Sequence, residues 1–249
     1  MKAFLIALWT TGSFLLIAGA YLWYSHASIY WKLGKLPLSS SLSEESYLIG
    51  SSTASSRITY VALGDSLTAG VGVDTYASSY PYLLAEDIGK SGTAVTLYPY
   101  AVPGVRSQYV LDNFLDAAIA RDPDVVTLFI GINDIHGNIP AAIFKKNYAA
   151  ILKELTAKTE ARVYAIGLPY IGTPELINAP MRYYFNWRIK TYDEIIKELA
   201  TEYGATYVDL YTAQLPHELD PAYYATDAFH PNALGYTVWS QRIYESLHQ

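Results

Sequence analysis

The sequence predicts an α/β protein, a three-layer α/β/α sandwich around a mainly parallel five-stranded sheet with one transmembrane helix before it. Short apolar runs alternate with segments of helical periodicity from residue 57 onward. The runs are rich in β-branched residues, as in strands that are covered on both faces. Such alternation favours crossovers between parallel strands, as in a flavodoxin-like sheet.

The first stretch of the chain predicts the transmembrane helix. No charged residue occurs from Ala3 to Trp31, and a bilayer core requires about 20 apolar residues in a helix. Aromatic residues crowd its far end, as in an interfacial belt. A cleaved signal peptide is the alternative, because Ala18-Gly19-Ala20 resembles a cleavage site. We expect an uncleaved anchor over residues 1–31 with the folded domain outside the cytoplasm, and a secreted domain if the segment is cleaved.

Residues 32–56 are rich in serine and predict a flexible linker, so the folded domain is expected over residues 57–249. Five apolar runs predict strands, at 58–63, 94–98, 125–130, 162–166 and 206–210. Five segments predict helices, at 80–89, 107–120, 141–158, 182–203 and 232–247. Pro123 interrupts the chain before the third strand, and Gly204 is expected to end the fourth helix.

The composition excludes several classes of protein. The 249 residues allow one domain with a sizeable core, and 51% of them are hydrophobic and 16% charged. The net charge of −6 and the lack of a basic stripe argue against a nucleic-acid partner. The sequence contains no cysteine, which excludes disulfides, a thiolate nucleophile and cysteine-bound metal.

Polar residues with catalytic potential follow the predicted strands. Ser66 follows the first strand, Gly104 the second and Asn133 the third, while Asp227 and His230 precede the last helix. Ligands of open α/β sheets bind at the carboxyl ends of the strands, so these residues are expected to meet there. Serine in such a loop is also common as an ordinary turn or helix-capping residue, so Ser66 alone decides little.

Together these residues offer what acyl transfer requires: a nucleophile, a base, a carboxylate that orients the base, and donors for an oxyanion. Ser66 supplies a hydroxyl and His230 an imidazole. Asp227 lies three residues before His230, so one turn of chain lets its carboxylate reach the ring. Asn133 supplies an amide and Gly104 an unobstructed backbone N–H.

Four blocks of the sequence resemble the SGNH hydrolase family, the GDSL-type esterases and lipases. They are Gly64-Asp65-Ser66-Leu67, Gly104, Gly131-x-Asn133-Asp134 and Asp227-x-x-His230. The resemblance implies that Ser66 is the nucleophile, His230 the base and Asp227 its orienting acid. It also implies an oxyanion hole formed by the backbone N–H groups of Ser66 and Gly104 and the side chain of Asn133, with no metal or cofactor.

The resemblance implies a serine esterase that hydrolyses carboxylic esters through an acyl-enzyme. Its substrates would be lipid-like, short-chain acyl or O-acetyl-sugar esters. An envelope O-acyltransferase with the same triad and a non-catalytic envelope binding module are the alternatives. We expect a monomer that meets the membrane through its N-terminal helix and has no nucleic-acid partner.

The remaining polar residues are expected to have structural roles. Asp65 and Asp134 should fix loops, and Asp209 is a weaker rival to Asp227. The other histidines lack a partner pattern and are expected at the surface or in loops: His26, His136, His217 and His248. The segment around His217 lacks the helical histidine pair of a zinc site. Most of the 24 tyrosines should be half-buried scaffold residues.

Overall fold

One mixed sheet organises the computed structural model, which describes residues 2–33, 45–90, 92–170, 173, 176–217 and 220–248. The strands are β1 Tyr47–Ile49, β2 Arg57–Gly64, β3 Ala94–Ala101, β4 Val125–Phe129, β5 Arg162–Ile166 and β6 Thr206–Val208. Their order is β1-β3-β2-β4-β5-β6. β1 runs antiparallel to β3, and all other neighbouring strands are parallel. The predicted α/β class is therefore confirmed, with six strands in place of five.

Helices connect these strands and pack in pairs. They are α1 Lys2–Leu33, α2 Tyr80–Gly89, α3 Ser107–Tyr109, α4 Leu115–Ile119, α5 Ile132–His136, α6 Ala141–Lys158, α7 Ala179–Tyr203, α8 Leu210–Gln214 and α9 Ala233–Ser246. Among the longer helices, α2 packs against α9 and α6 packs against α7. The sequence predicted a continuous helix over residues 107–120, but a wide turn with π-type hydrogen bonds at Val110–Phe114 separates α3 from α4.

Burial explains why the central strands were visible in the sequence. All five residues of β4 are buried, as are the last five of β2. Parallel strands between two helical layers need apolar side chains on both faces, which produces continuous apolar runs. The ends of α7 and α9 also follow local signals. Gly204 ends α7 with a φ of 71°, and the Asn232 side chain accepts hydrogen bonds from two backbone N–H groups at the start of α9.

The sixth strand, β1, lies inside the predicted linker of residues 32–56. Ile49 is buried, and β1 pairs with β3 from Tyr47 opposite Leu97 to Ile49 opposite Val95. The prediction of a wholly flexible linker is therefore wrong for these residues. Three residues among serines are too few to show a period, and only the pairing with β3 defines the strand. Residues 34–44 of the predicted linker lie outside the described residues.

The N-terminal segment forms α1, and its C-terminal part contacts the domain. Ser25 and Ile29 are fully buried, and Lys32 Nζ donates a hydrogen bond to the Leu176 carbonyl at 3.2 Å. Within the part of the chain that the structure describes, no helix combines the length and apolarity needed to cross a membrane. The transmembrane helix predicted for residues 1–31 is therefore not confirmed.

Candidate active site

Ser66 lies in a tight loop at the carboxyl end of β2. The loop is closed by backbone hydrogen bonds from Ala69 to Asp65 at 2.9 Å and from Val71 to Ser66 at 3.0 Å. Gly64 is required where this loop begins, because a Cβ there would collide with Thr68 Oγ1 and the Phe129 carbonyl. The loop therefore holds Ser66 in a fixed position beside the ends of the neighbouring strands.

The loop that carries His230 packs closely against the serine loop. Gly72, with a φ of 104°, leaves room for the Pro231 carbonyl and for His230 Cβ, which a Cβ at this position would meet. The Ala225 N–H donates to the His230 carbonyl at 2.8 Å and fixes the turn in which His230 lies. These contacts bring together two segments that are far apart in the sequence.

Ser66, His230 and Asp227 form a chain of hydrogen bonds. Ser66 Oγ lies 3.0 Å from His230 Nε2, and His230 Nδ1 lies 2.6 Å from Asp227 Oδ2. Ser66 and His230 are both buried, with 8% and 7% of their surface exposed. The spacing between Asp227 and His230 predicted this pairing, and the structure brings all three side chains together as expected.

Asp227 is held in the ionised form that this arrangement requires. Burial raises the pKa of its carboxyl, but the hydrogen bond and charge of His230 and the backbone N–H groups of Phe229 and His230 outweigh burial and bring the pKa below its usual value. Both N–H groups donate to Asp227 Oδ1 at 2.9 Å. The carboxylate therefore accepts from the His230 ring and fixes its orientation.

The ends of three adjacent strands carry the predicted oxyanion donors. Gly64 of β2 is opposite Ala101 of β3 and Phe129 of β4. Ser66, Gly104 and Asn133 follow these three positions within a few residues. Gly104 has a φ of 83°, a conformation that favours glycine. The topology therefore places the three predicted donors after the carboxyl ends of three neighbouring strands.

Asn133 is oriented by Asp65, a contact that the sequence did not predict. Its Nδ2 donates to Asp65 Oδ2 at 3.0 Å, while Asp65 Oδ1 accepts from the Leu67 N–H at 3.1 Å. Asp65 thus fixes its own loop, as predicted, and also holds the Asn133 amide. Nδ2 carries two hydrogens, so one remains to donate elsewhere. No local sequence signal marks this pair, because the two residues are far apart in the chain.

The Asp65 side chain lies in the core, with 1% of the residue's surface exposed. Burial raises the pKa of its carboxyl to about 7, and the charge of Asp134 adds to the rise. The hydrogen bonds from Leu67 and Asn133 act in the opposite direction but do not cancel the effect of burial. Ionisation of this carboxyl in the core is therefore unfavourable.

Replacing Asp65 with asparagine should remove a pH dependence from the free energy of unfolding. The pKa of Asp65 is about 7 in the folded protein and 3.8 for an unperturbed aspartate, which represents the unfolded chain. The folded state therefore holds this proton more tightly than the unfolded state. Its contribution to stability is full below about pH 4 and is lost as the pH rises to about 7, by about 1.4 kcal/mol per pH unit. Urea unfolding of both proteins from pH 4 to pH 8 measures this, and parallel pH curves would contradict it.

Asp134 belongs to a separate structural cluster behind the site. Its carboxylate accepts from the Ser107 N–H at 2.9 Å and from the Ser107 hydroxyl at 2.6 Å. Asn147 Nδ2 donates to the same hydroxyl at 3.2 Å. Asp134 therefore ties the start of α3 to α5, which agrees with the predicted loop-fixing role.

The other candidates are placed away from the Ser66–His230–Asp227 chain or have different partners. Asp209 accepts from the Thr212 N–H and begins α8, so it is not the carboxylate of the triad. His217 stacks on Tyr223 with ring centroids 4.0 Å apart. His136, expected at the surface or in a loop, is the last residue of α5 and is half-buried, with its ring against Phe185 and Phe229. Across the described ranges, no group of three or more His, Cys, Asp or Glu residues could hold a metal.

Comparison with known proteins identifies a family to which this chain is similar. The model of the GDSL-like lipase/acylhydrolase family matches residues 62–238. An acetylxylan esterase of Geobacillus stearothermophilus is 29% identical over 137 residues, and the match covers 52% of this chain and 61% of that protein. The uncharacterized protein YpmR of Bacillus subtilis is 26% identical over 214 residues, which cover 77% of this chain and 82% of YpmR.

A solved structure shares the fold. The crystal structure of TesA superposes with a TM-score of 0.63 at 20% identity and covers 76% of this chain and 97% of that chain. At this identity the likeness supports the fold alone. The predicted α/β fold, a sheet with helices, is thus confirmed independently of the site residues.

Proposed function

We propose that this chain, which belongs to the GDSL-like lipase/acylhydrolase family of ester-hydrolysing enzymes, cleaves carboxylic esters through an acyl-serine intermediate. The observation that carries the proposal is the hydrogen-bonded chain from Ser66 through His230 to Asp227. A serine hydroxyl in contact with an imidazole that a carboxylate orients is an activated nucleophile.

In the first half of the reaction, Ser66 Oγ attacks the carbonyl carbon of the ester while His230 Nε2 accepts the hydroxyl proton. Asp227 stabilises the imidazolium that forms. The carbonyl oxygen becomes an oxyanion, which the N–H groups of Ser66 and Gly104 and the second hydrogen of Asn133 Nδ2 would stabilise. The bond to the alcohol oxygen then breaks, and His230 delivers its proton to the departing alcohol.

In the second half, water attacks the acyl-serine and gives its proton to His230. The bond between Ser66 Oγ and the acyl carbon breaks, and the proton returns from His230 to Ser66. The products are a carboxylic acid and an alcohol, with no redox change. The residues named here supply the nucleophile, the proton transfers and the charge stabilisation, so the proposal requires no metal or cofactor.

Rapid mixing with a p-nitrophenyl ester tests the two-step route. If deacylation is slower than acylation, p-nitrophenol should appear in a burst of about one equivalent per enzyme. The acylated protein should then be visible by mass spectrometry after acid quenching. With methanol added, different esters of one acid share the acyl-enzyme and should give the same ratio of acid to methyl ester. Ratios that depend on the leaving alcohol would favour direct attack by water.

The same intermediate supports an O-acyltransferase, in which an alcohol such as a sugar hydroxyl replaces water. The ratio of free acid to transferred ester, measured with increasing acceptor alcohol, separates the two activities. We expect free acid to remain the main product. A main product that shifts to the acceptor ester would assign the transferase activity instead.

The similarity to an acetylxylan esterase favours O-acetyl-sugar esters as a second candidate substrate class. Acetate release from peracetylated xylose, compared with p-nitrophenyl acetate, tests it. A non-catalytic binding module is the remaining alternative, and it predicts no ester cleavage at all. A binding module has no need of an oriented serine and histidine pair, which is why we favour the enzyme.

We also propose that α1 associates with a membrane and leaves the catalytic domain outside the cytoplasm. Large exposed apolar side chains along α1 support this, because such patches mark interaction surfaces: Trp9, Phe14, Leu15, Leu16 and Ile17. Sedimentation with membranes and protease access in intact cells test the association and the side. A monomer is expected, and light scattering in detergent measures it.

A further inference from the structure

A cavity of about 450 Å³ lies between α1, α5 and the first turns of α7. Its size falls in the range of about 300–1,000 Å³ that is common for small-molecule sites. Apolar side chains from all three helices line it, among them Leu22, Ile135, Met181 and Phe185. The site proposed above does not use these four residues.

Helix α1 supplies one side of this cavity through Leu22 and His26. Ser25 and Ile29 of the same helix are fully buried, and they hold this part of α1 against the domain. Leu22 and His26 both precede residues 62–238, the stretch that matches the family. The wall from α1 therefore lies outside the stretch that matches the family model.

A series of rings joins the cavity to the catalytic histidine. Phe185, in the cavity wall, packs edge-on against His136 with ring centroids 5.4 Å apart. The His136 ring lies 5.5 Å from the ring of Phe229, which lies 4.8 Å from that of His230. Ile135 is in α5, two residues after Asn133. Three successive ring contacts therefore link the cavity wall to His230 of the proposed site.

Arg188 contributes a positive charge to the cavity lining, and its guanidinium is hydrogen-bonded to neighbouring protein groups. It donates to Asn138 Oδ1 at 2.6 Å, to the Ile139 carbonyl at 2.9 Å and to the Tyr192 hydroxyl at 3.1 Å. These bonds tie the segment after α5 to α7 and fix the shape of the cavity. Three of its five N–H donors are thus engaged, and most of the remaining lining is apolar.

We propose that the cavity binds the apolar chain of the ester substrate, with α1 as a wall that determines which chain lengths fit. A sugar would bring several hydroxyls to a mostly apolar lining, where unmatched polar groups are unfavourable. An alkyl chain would instead transfer apolar surface out of water. This inference rests on the proposed esterase function and names the substrate class of that same site.

The test compares Leu22→Trp with Leu16→Trp in the full-length protein. Both place the same side chain on exposed positions of α1, but only Leu22 lines the cavity. The substrates are p-nitrophenyl acetate and octanoate, together with ethyl and octyl acetate, in one detergent buffer. The first pair varies the acyl chain and the second varies the alcohol chain.

Leu22→Trp should lower the ratio of kcat/KM for the long ester to that for the short ester by about tenfold or more, since each lost methylene contact weakens discrimination. Leu16→Trp should leave this ratio within about twofold of the original protein. The series in which the ratio falls shows whether the acyl or the alcohol chain occupies the cavity.

Equal ratios in Leu22→Trp, Leu16→Trp and the original protein would overturn the cavity proposal while ester hydrolysis stands. No hydrolysis of any ester by the original protein would instead overturn the proposed function.

Discussion

Replacing Ser66 with alanine should abolish ester hydrolysis and leave the domain folded. Loss of the nucleophile of a triad lowers kcat by about 10⁴ or more, because the remaining groups can only assist direct attack by water. Ser66 Oγ makes a hydrogen bond with His230 Nε2. Removing the hydroxyl leaves this ring nitrogen without its partner but creates little empty space, so the domain should stay folded. Initial rates with p-nitrophenyl acetate, together with a thermal unfolding curve, measure the two effects.

Ser55→Ala is the matched control, because Ser55 is exposed and precedes β2. It should keep the rate within about twofold, as surface substitutions have small effects. Retention of the rate within a factor of about ten by Ser66→Ala would remove Ser66 from the mechanism. An unfolded Ser66→Ala protein would be distinguished by its unfolding curve, and Ser66→Gly, which also lacks a nucleophile, would then replace it as the test variant.

Replacing Asn133 with alanine should lower kcat by roughly 10²–10³ while KM changes little. The reason is that the free hydrogen of Asn133 Nδ2 would meet the oxyanion in the transition state more closely than the carbonyl oxygen in the ground state. The other hydrogen is held by Asp65 at 3.0 Å, which aims the amide. Steady-state kinetics on one ester separates kcat from KM.

Asn113→Ala controls for the loss of an asparagine side chain elsewhere. Asn113 Nδ2 donates to the Tyr109 carbonyl on an exposed surface and belongs to neither the triad nor the oxyanion donors. Its kcat and KM should both stay near the original values. A raised KM with unchanged kcat in Asn133→Ala would instead make Asn133 a residue of substrate binding.

The central strands and the site residues could be predicted because their signals are local. A strand such as β4, which is buried on both faces, must be apolar throughout, and its carboxyl end is where a ligand site forms. Asp227 and His230 are three residues apart, so one turn of chain suffices to pair them. The family resemblance of the four blocks added the roles of the residues.

The features that were missed depend on contacts between distant segments. The hydrogen bond between Asp65 and Asn133 joins the ends of β2 and β4, and no sequence pattern near either residue predicts it. The contact of α1 with the domain was missed because a charge-free stretch also fits a membrane anchor. His136 was expected at the surface or in a loop, and its ring contacts with Phe185 and Phe229 were not predicted.

Labelling with a fluorophosphonate probe tests the central claim most directly. The probe phosphonylates a serine only when a base activates its hydroxyl, so it reports the Ser66–His230 pair without any assumption about the ester substrate. Digestion and mass spectrometry of the labelled full-length protein should locate one adduct on Ser66, and His230→Ala should abolish it. An intact, folded protein that takes up no probe, or that carries the adduct on another serine, would contradict the account.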